Sequence, residues 1–414
     1  MQRRVFLSAL RDGLFLFAAA RLPDSVERHP AGHENNMDSR RHIKLFLGGD
    51  VMTGRGIDQV LPHPVDPVLY EGYVRDAREY VRIAERANGP IARPVNVDYI
   101  WGEAFHVWRT HEPDVRIVNL ETSVTVSDDN WPSKGIHYRM HPHNVACLNS
   151  AQLDCCVLAN NHVLDWGHAG LAETLVTLHT AGIETAGAGL NLEQAASPAR
   201  LAVPGKGEVL VYAAAEKSSG VPRDWSADHD RGGVNLLPDL SRRTADRLAN
   251  QIRRARAPGD LVVLSIHWGG NWGYAVPREQ RGFAHRLIDA AAVDIVHGHS
   301  SHHAKALELY GGKVIIYGCG DFVNDYEGIG GRDDFRPWLS PMYFVTFDQQ
   351  SGEVARVELE VMRMRRFRLT RASVGNKRWL TAKLNEFGDE FATCLKMRGG
   401  VLRVAHCIAS RETG

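Results

Sequence analysis

The chain has 414 residues, 44% hydrophobic and 24% charged, the profile of a folded globular protein long enough for one to three domains. Its 49 Lys and Arg balance 49 Asp and Glu, so neither nucleic acid nor an anionic membrane surface is expected as the main partner. The departure from ordinary composition is 20 histidines, the side chain most used for metal ligation and for proton transfer near neutral pH.

At the N-terminus, Arg3-Arg4 followed by Phe6-Leu7 resembles a twin-arginine export signal. Arg11 and Asp12 interrupt the apolar stretch, however, and no good small-residue cleavage site follows. Residues 1–41 are read as a signal-like or disordered segment. The expected location is cytoplasmic, with export by that signal as the alternative. No run of 18 apolar residues occurs, so no stable membrane-spanning helix is expected.

Strands then alternate with helices. "HIKLFLGGD" (42–50), "VRIVNLETS" (115–123), "LDCCVLANNH" (153–162), "DLVVLSIHWGG" (260–270), "VDIVHGH" (293–299) and "GKVIIYGCGDF" (312–322) are nearly continuous apolar runs, as in strands buried on both faces. Between them, 170–183, 244–260 and 278–294 carry apolar residues at helical spacing. The alternation predicts an α/β layered fold. An insertion at about 55–113, with a helix over 75–88, leaves the first strand and is placed to cover its tip. The domain is expected to span 42–365. After it a basic stretch, "RMRRFRLTRASVGNKR", reads as a solvated face, and 366–414 as a C-terminal appendage with a helix near 379–396. Adjacent Cys155 and Cys156 point to opposite faces of a strand, no CxxC pair is present, and all six cysteines are expected to be reduced thiols.

Asp50, Glu121, Asn161-His162, His267 and His299 each follow the C-terminal end of an apolar strand. In α/β sheets the ligand crevice lies outside those ends. Five such tips, all of metal-ligand type, predict one site. Two carboxylates, an amide and several imidazoles suit a divalent transition metal, Mn, Fe or Zn, as one or two ions, better than Ca or Mg. His162, beside Asn161, reads as a general acid or base rather than a ligand, oriented by Asp165. "IVHGHSSHHAKAL" (295–307) packs four histidines, of which two or three are expected at the metal. Trp268, Asn271 and Trp272, with Asp321 and Asp325 of the Gly-rich "GDFVNDYEGIGG" loop, are candidate substrate contacts.

Together "GGDVM", "VNLETS", "LANNHVLDWG", "SIHWGGNWGY" and "HGHSSHH" resemble the motifs of the CapA-like family, associated with poly-γ-glutamate capsule synthesis, within the calcineurin-like metallophosphatase superfamily. The resemblance implies a two-sheet α/β sandwich with helices outside and a metal site at the strand ends. It implies Asp50 as ligand of one ion, Glu121 as bridging carboxylate, Asn161 and His267 as ligands of the other, and His299 and His302 as the final histidines. His162 corresponds to the histidine near the leaving group. Departures are plain. Met52 stands where phosphoesterases of this fold carry histidine, Glu121 where they carry Asp, and "GHSSHH" delays the second imidazole, leaving His302 and His303 as its candidates. Relatives reading HWG-x-E-Y have a carboxylate that "HWGGNWGY" lacks, which implies a different substrate. The expected function is a metal-dependent enzyme acting on a peptide or γ-glutamyl-type substrate, by hydrolysis or Cα epimerisation, with His162, Asp50 and His302 moving protons. A phosphoesterase and a non-catalytic capsule-synthesis protein are the alternatives.

Overall fold

The computed structural model describes residues 41–407. The candidate export signal therefore lies outside the described residues. Two sheets face each other. The first runs, edge to edge, Thr393–Arg398, Val401–His406, Glu353–Met364, Leu339–Asp348, His42–Val51, Val115–Leu120, Cys155–Val157, Glu184–Ala186. The second runs Leu236–Leu237, Gly207–Glu216, Leu261–His267, Ile295–His299, Lys313–Ile316, Leu307–Tyr310. The expected α/β two-sheet architecture is the one observed.

Strand alternation explains the layers. In Leu261–His267, Leu261 and Val263 join the core between the sheets, while Val262, Leu264 and Ile266 join a second core under the helices Arg242–Ala255 and Arg278–Asp289. Those helices contribute Leu248, Ile252, Phe283 and Leu287, each worth about 1.5–3 kcal/mol of burial. The Ser241 hydroxyl caps the first of them by accepting from the Thr244 amide. On the far side of the first sheet, Phe46 meets Trp108 of the helix Ala104–His111 edge to face at 5.4 Å.

The same alternation builds the site. The face of Leu261–His267 that buries Leu261 and Val263 next presents Ser265 and His267. In the neighbouring strand Ile295 is followed on that face by His297 and His299. The two strands are parallel and in register, Ser265 opposite His297 and His267 opposite His299. In the first sheet, Asp321 is the register partner of Asp50. A Cβ at Gly49 would lie 1.7 Å from the Gly320 carbonyl oxygen, so only glycine permits that approach.

Two expectations need correction. Cys394 and Cys407 form a disulfide, whereas Cys147, Cys155, Cys156 and Cys319 are free and buried. The helix expected near 379–396 is Val374–Gly388. Beyond it Thr393–Arg398 and Val401–His406 form a hairpin closed by Gly399-Gly400, both at positive φ, which extends the first sheet rather than standing apart. The insertion helix is Arg78–Asn88.

Candidate metal centre and cavity

At the C-terminal ends of the central strands, two groups of possible ligand atoms share Asp50. One is Asp50, His267 and His299; the other is Asp50, His302 and Asp321. Within each group the atoms lie within 4.8 Å of one another, and all these residues are buried. The Asn119 amide donates to Asp50 at 2.8 Å and reaches Glu121 at 3.4 Å. Glu121 stands 4.0 Å from His267 and 3.8 Å from His162. The Asn161 side-chain oxygen is 3.0 Å from His267 Nε2. All six sequence-predicted ligands, Asp50, Glu121, Asn161, His267, His299 and His302, thus converge.

The four clustered histidines divide by role. His299 Nδ1 and His267 Nδ1 are 2.7 Å apart, and His299 Nε2 is 2.9 Å from the Ser265 hydroxyl. His297 lies 3.0 Å from that same hydroxyl and donates through Nε2 to the Gly48 carbonyl at 2.9 Å, joining the two sheets beneath the site. His302 Nδ1 is 2.9 Å from Asp321, whose other oxygen accepts from Asn324 at 2.9 Å. His303 turns away, with Nδ1 on the Ala304 carbonyl at 3.1 Å and its ring among Trp272, Tyr274 and Phe335. Of the two candidates after Ser301, His302 is the one beside Asp50.

The donor set fits a divalent cation. Asp50, Glu121 and Asp321 are buried together, and among the described residues no Lys or Arg forms an ion pair with any of them. Burial, then Asp321, pushes the Asp50 carboxyl up to about 7. Burial, then Asp50, drives Glu121 well above the usual carboxylate range. Burial holds His267 and His299 well below the ordinary imidazole value, keeping their lone pairs available. Burial opposes charge on His302, but Asp321 outweighs it and raises that ring. Crowded carboxylates beside neutral imidazoles are what a bound cation would stabilise.

A cavity of about 540 Å³ opens onto this cluster and is bordered by Asn161, His162 and His302. His162 Nδ1 donates to Asp165 at 2.6 Å, which leaves Nε2 with a lone pair. Lys134 Nζ lies 3.0 Å from His162 Nδ1 and also pairs with Asp165. Burial lowers His162 to about 4, so the ring is the free base at neutral pH. Asp165 therefore orients His162 as expected.

The candidate substrate contacts separate. Asn271 and Trp272 border the cavity. Trp268 does not: it is buried in the core under the helices and donates to the Tyr317 carbonyl at 3.0 Å, because its strand neighbour His267 takes the site face. Asp325 is locked to Arg55 Nε at 3.1 Å and to the Gly56 amide at 3.0 Å, so Arg55 rather than Asp325 reaches the cavity. Asp321 sits in the ligand group, not among substrate contacts. Asn119, Lys134 and Arg55 are additions. Asn119 had a signal, two positions before Glu121 on one strand face, and Asp321 had one in following "GCG" as Asp50 follows "GG". Lys134 lies in an irregular loop with none.

The chain is similar to several known proteins. A family model described as "Bacterial capsule synthesis protein PGA_cap" matches residues 44–326. A "Probable polyglutamine synthesis accessory protein" of Mycobacterium tuberculosis is 46% identical over 350 residues, 84% of this chain and 92% of its own. "Capsule biosynthesis protein CapA" of Bacillus anthracis is 25% identical over 319 residues, 75% of this chain and 66% of its own. Among solved structures, a phosphatase from Mycoplasma pneumoniae superposes with a TM-score of 0.43 at 13% identity, over 77% of this chain and 93% of that one. With a matched family model covering most of its length and a close full-length relative, the chain belongs to the CapA-like family of bacterial capsule synthesis proteins.

Proposed function

We propose that the protein is a metal-dependent enzyme that acts on amide bonds of a peptide or γ-glutamyl chain. The observation that carries this reading is the pair of ligand groups sharing Asp50 beneath a cavity that His162 faces as a free base. Asp50, His267, His299, His302 and Asp321 would hold a divalent ion, which would supply Lewis acidity to an amide or carboxylate oxygen. His162 Nε2 accepts a proton from the attacking water and returns it to the leaving nitrogen. Asp165 holds the imidazole tautomer, and Lys134 pairs with Asp165. Trp272 and Asn271 position the chain. The relatives' names, polyglutamine synthesis accessory and capsule biosynthesis proteins, support a glutamyl chain as substrate. Met52, buried against Tyr326 where a phosphoesterase would carry histidine, weighs against phosphate esters. The disulfide favours an oxidising compartment over the cytoplasm.

A second reading, Cα epimerisation, draws on His302 bordering the same cavity as His162: with His302 left off the metal, its ring, raised by Asp321, would be the acid opposite the His162 base that inversion needs. One experiment separates these. Mn-reconstituted protein is incubated with oligo-γ-glutamate in D₂O and the products are weighed by mass spectrometry. Shortened chains are expected from the native protein and not from His162→Gln. Deuterium at Cα without shortening would instead identify epimerisation. A chain neither cut nor exchanged would sink the enzymatic reading and leave the non-catalytic one.

A further inference from the structure

The main cavity does not end at its rim. Tyr73 and Ile329 border it and also border a second hollow of about 450 Å³. Its floor is the helix Arg78–Asn88, which presents Tyr80, Ile83 and Ala87 at helical spacing. The loop side is closed by Gly328, where a Cβ would lie 2.8 Å from Ile83, so loop and helix are in close contact there. The shared rim is apolar and solvent-facing: Tyr73 is 72% and Ile329 46% exposed. A compact ligand needs one hollow; two joined by an exposed apolar rim accommodate an extended chain.

Charge states what kind of chain. No Asp or Glu borders either hollow, whereas Arg55, Lys134 and Arg332 border the first and Arg86 the second. Arg55 and Lys134 are neutralised by Asp325, Glu71 and Asp165. Arg332 and Arg86 form no ion pair among the described residues, and Arg332 is instead held over the Trp272 ring at 5.0 Å. Two guanidinia without carboxylate partners, one in each hollow, are suited to carboxylates brought by a ligand. We propose that the two hollows are one groove for an extended acidic chain, with Arg332 and Arg86 receiving successive carboxylates on either side of the Tyr73–Ile329 rim. The choice of occupant rests on the glutamyl reading above; the groove itself rests on the lining.

The test is equilibrium binding of fluorescently labelled di- and octa-γ-glutamate to the full-length protein, metal-free and metal-loaded, at low and moderate salt. The octamer is expected to bind more tightly than the dimer. Arg86→Gln should weaken the octamer about fivefold or more and leave the dimer unchanged, while Arg332→Gln should weaken both. Octa-glutamine, of like length but uncharged, should bind no better than the dimer. The groove is refuted if the octamer gains nothing over the dimer, if octa-glutamine matches it, or if both variants bind as the native protein does. Length-dependent binding without turnover would refute the enzymatic reading alone; turnover with unchanged binding in both variants would refute the groove alone.

Discussion

Asp50 is the one side chain that both candidate ligand groups contain, so its loss should differ in kind from the loss of any neighbour. Asp50→Asn is expected to abolish transition-metal uptake, His302→Ala and His267→Ala each to remove one group's share, and His303→Phe to leave the metal content unchanged. Elemental analysis after reconstitution decides; full loading of Asp50→Asn would end the assignment. Asp58 offers a test remote from the metal. Burial raises its carboxyl from 3.8 to about 6, against hydrogen bonds from the His141 and Val65 amides and the Asn144 side chain and the charge of Arg139. The fold thus prefers the neutral acid. Its contribution is complete below the ordinary value and is lost as pH rises through about 6. Relative to Asp58→Asn, which does not titrate, the native protein should lose on the order of 2 kcal/mol between those limits. Urea melts at pH 4 and pH 7 measure it, and a constant gap would refute it. At this scale the ligands are legible because each tips an apolar strand. Asp321 reads as a substrate contact rather than a ligand because its partner in register, Asp50, is remote in sequence and their pairing spans only a short strand.

Among the elements, the first strand is the least tolerant. Gly49→Ala forces a Cβ onto the Gly320 oxygen and should cost about 3 kcal/mol or more, with displacement of Asp50 next to it. Gly282, on an exposed face of the helix Arg278–Asp289, meets nothing within 4 Å, and Gly282→Ala should gain about 0.5–1 kcal/mol from helix propensity. Thermal melts of the two variants should move in opposite directions; equal shifts would contradict the close approach. The central strands and the three long helices between 167 and 289 are readable from apolar periodicity alone, since both faces or one stripe must be buried. The C-terminal hairpin is less so: Thr393–Arg398 and Val401–His406 are short, with only partial alternation, and their pairing is completed by the sheet they join.

For the molecule as a whole, the centre is assembled half from each sheet. Asp50, Glu121, Asn161 and Asp321 come from the first; His267, His299 and His302 come from the second. A cation bound across that boundary holds the native arrangement and not the unfolded chain. At a free concentration of about a thousand times its dissociation constant it adds about 4 kcal/mol, or about 5 °C of melting temperature in a chain this long. Calorimetry before and after chelation should show that difference, and an unchanged melting temperature would argue against a cation at the boundary. The division also bears on synthesis. A nascent chain released before residue 267 carries Asp50, Glu121 and Asn161 but neither Asp321 nor any of the three histidine donors, and so has less than half a chelator. With a cation as the ligand, the metal content of a preparation would report how many molecules have both sheets complete and joined.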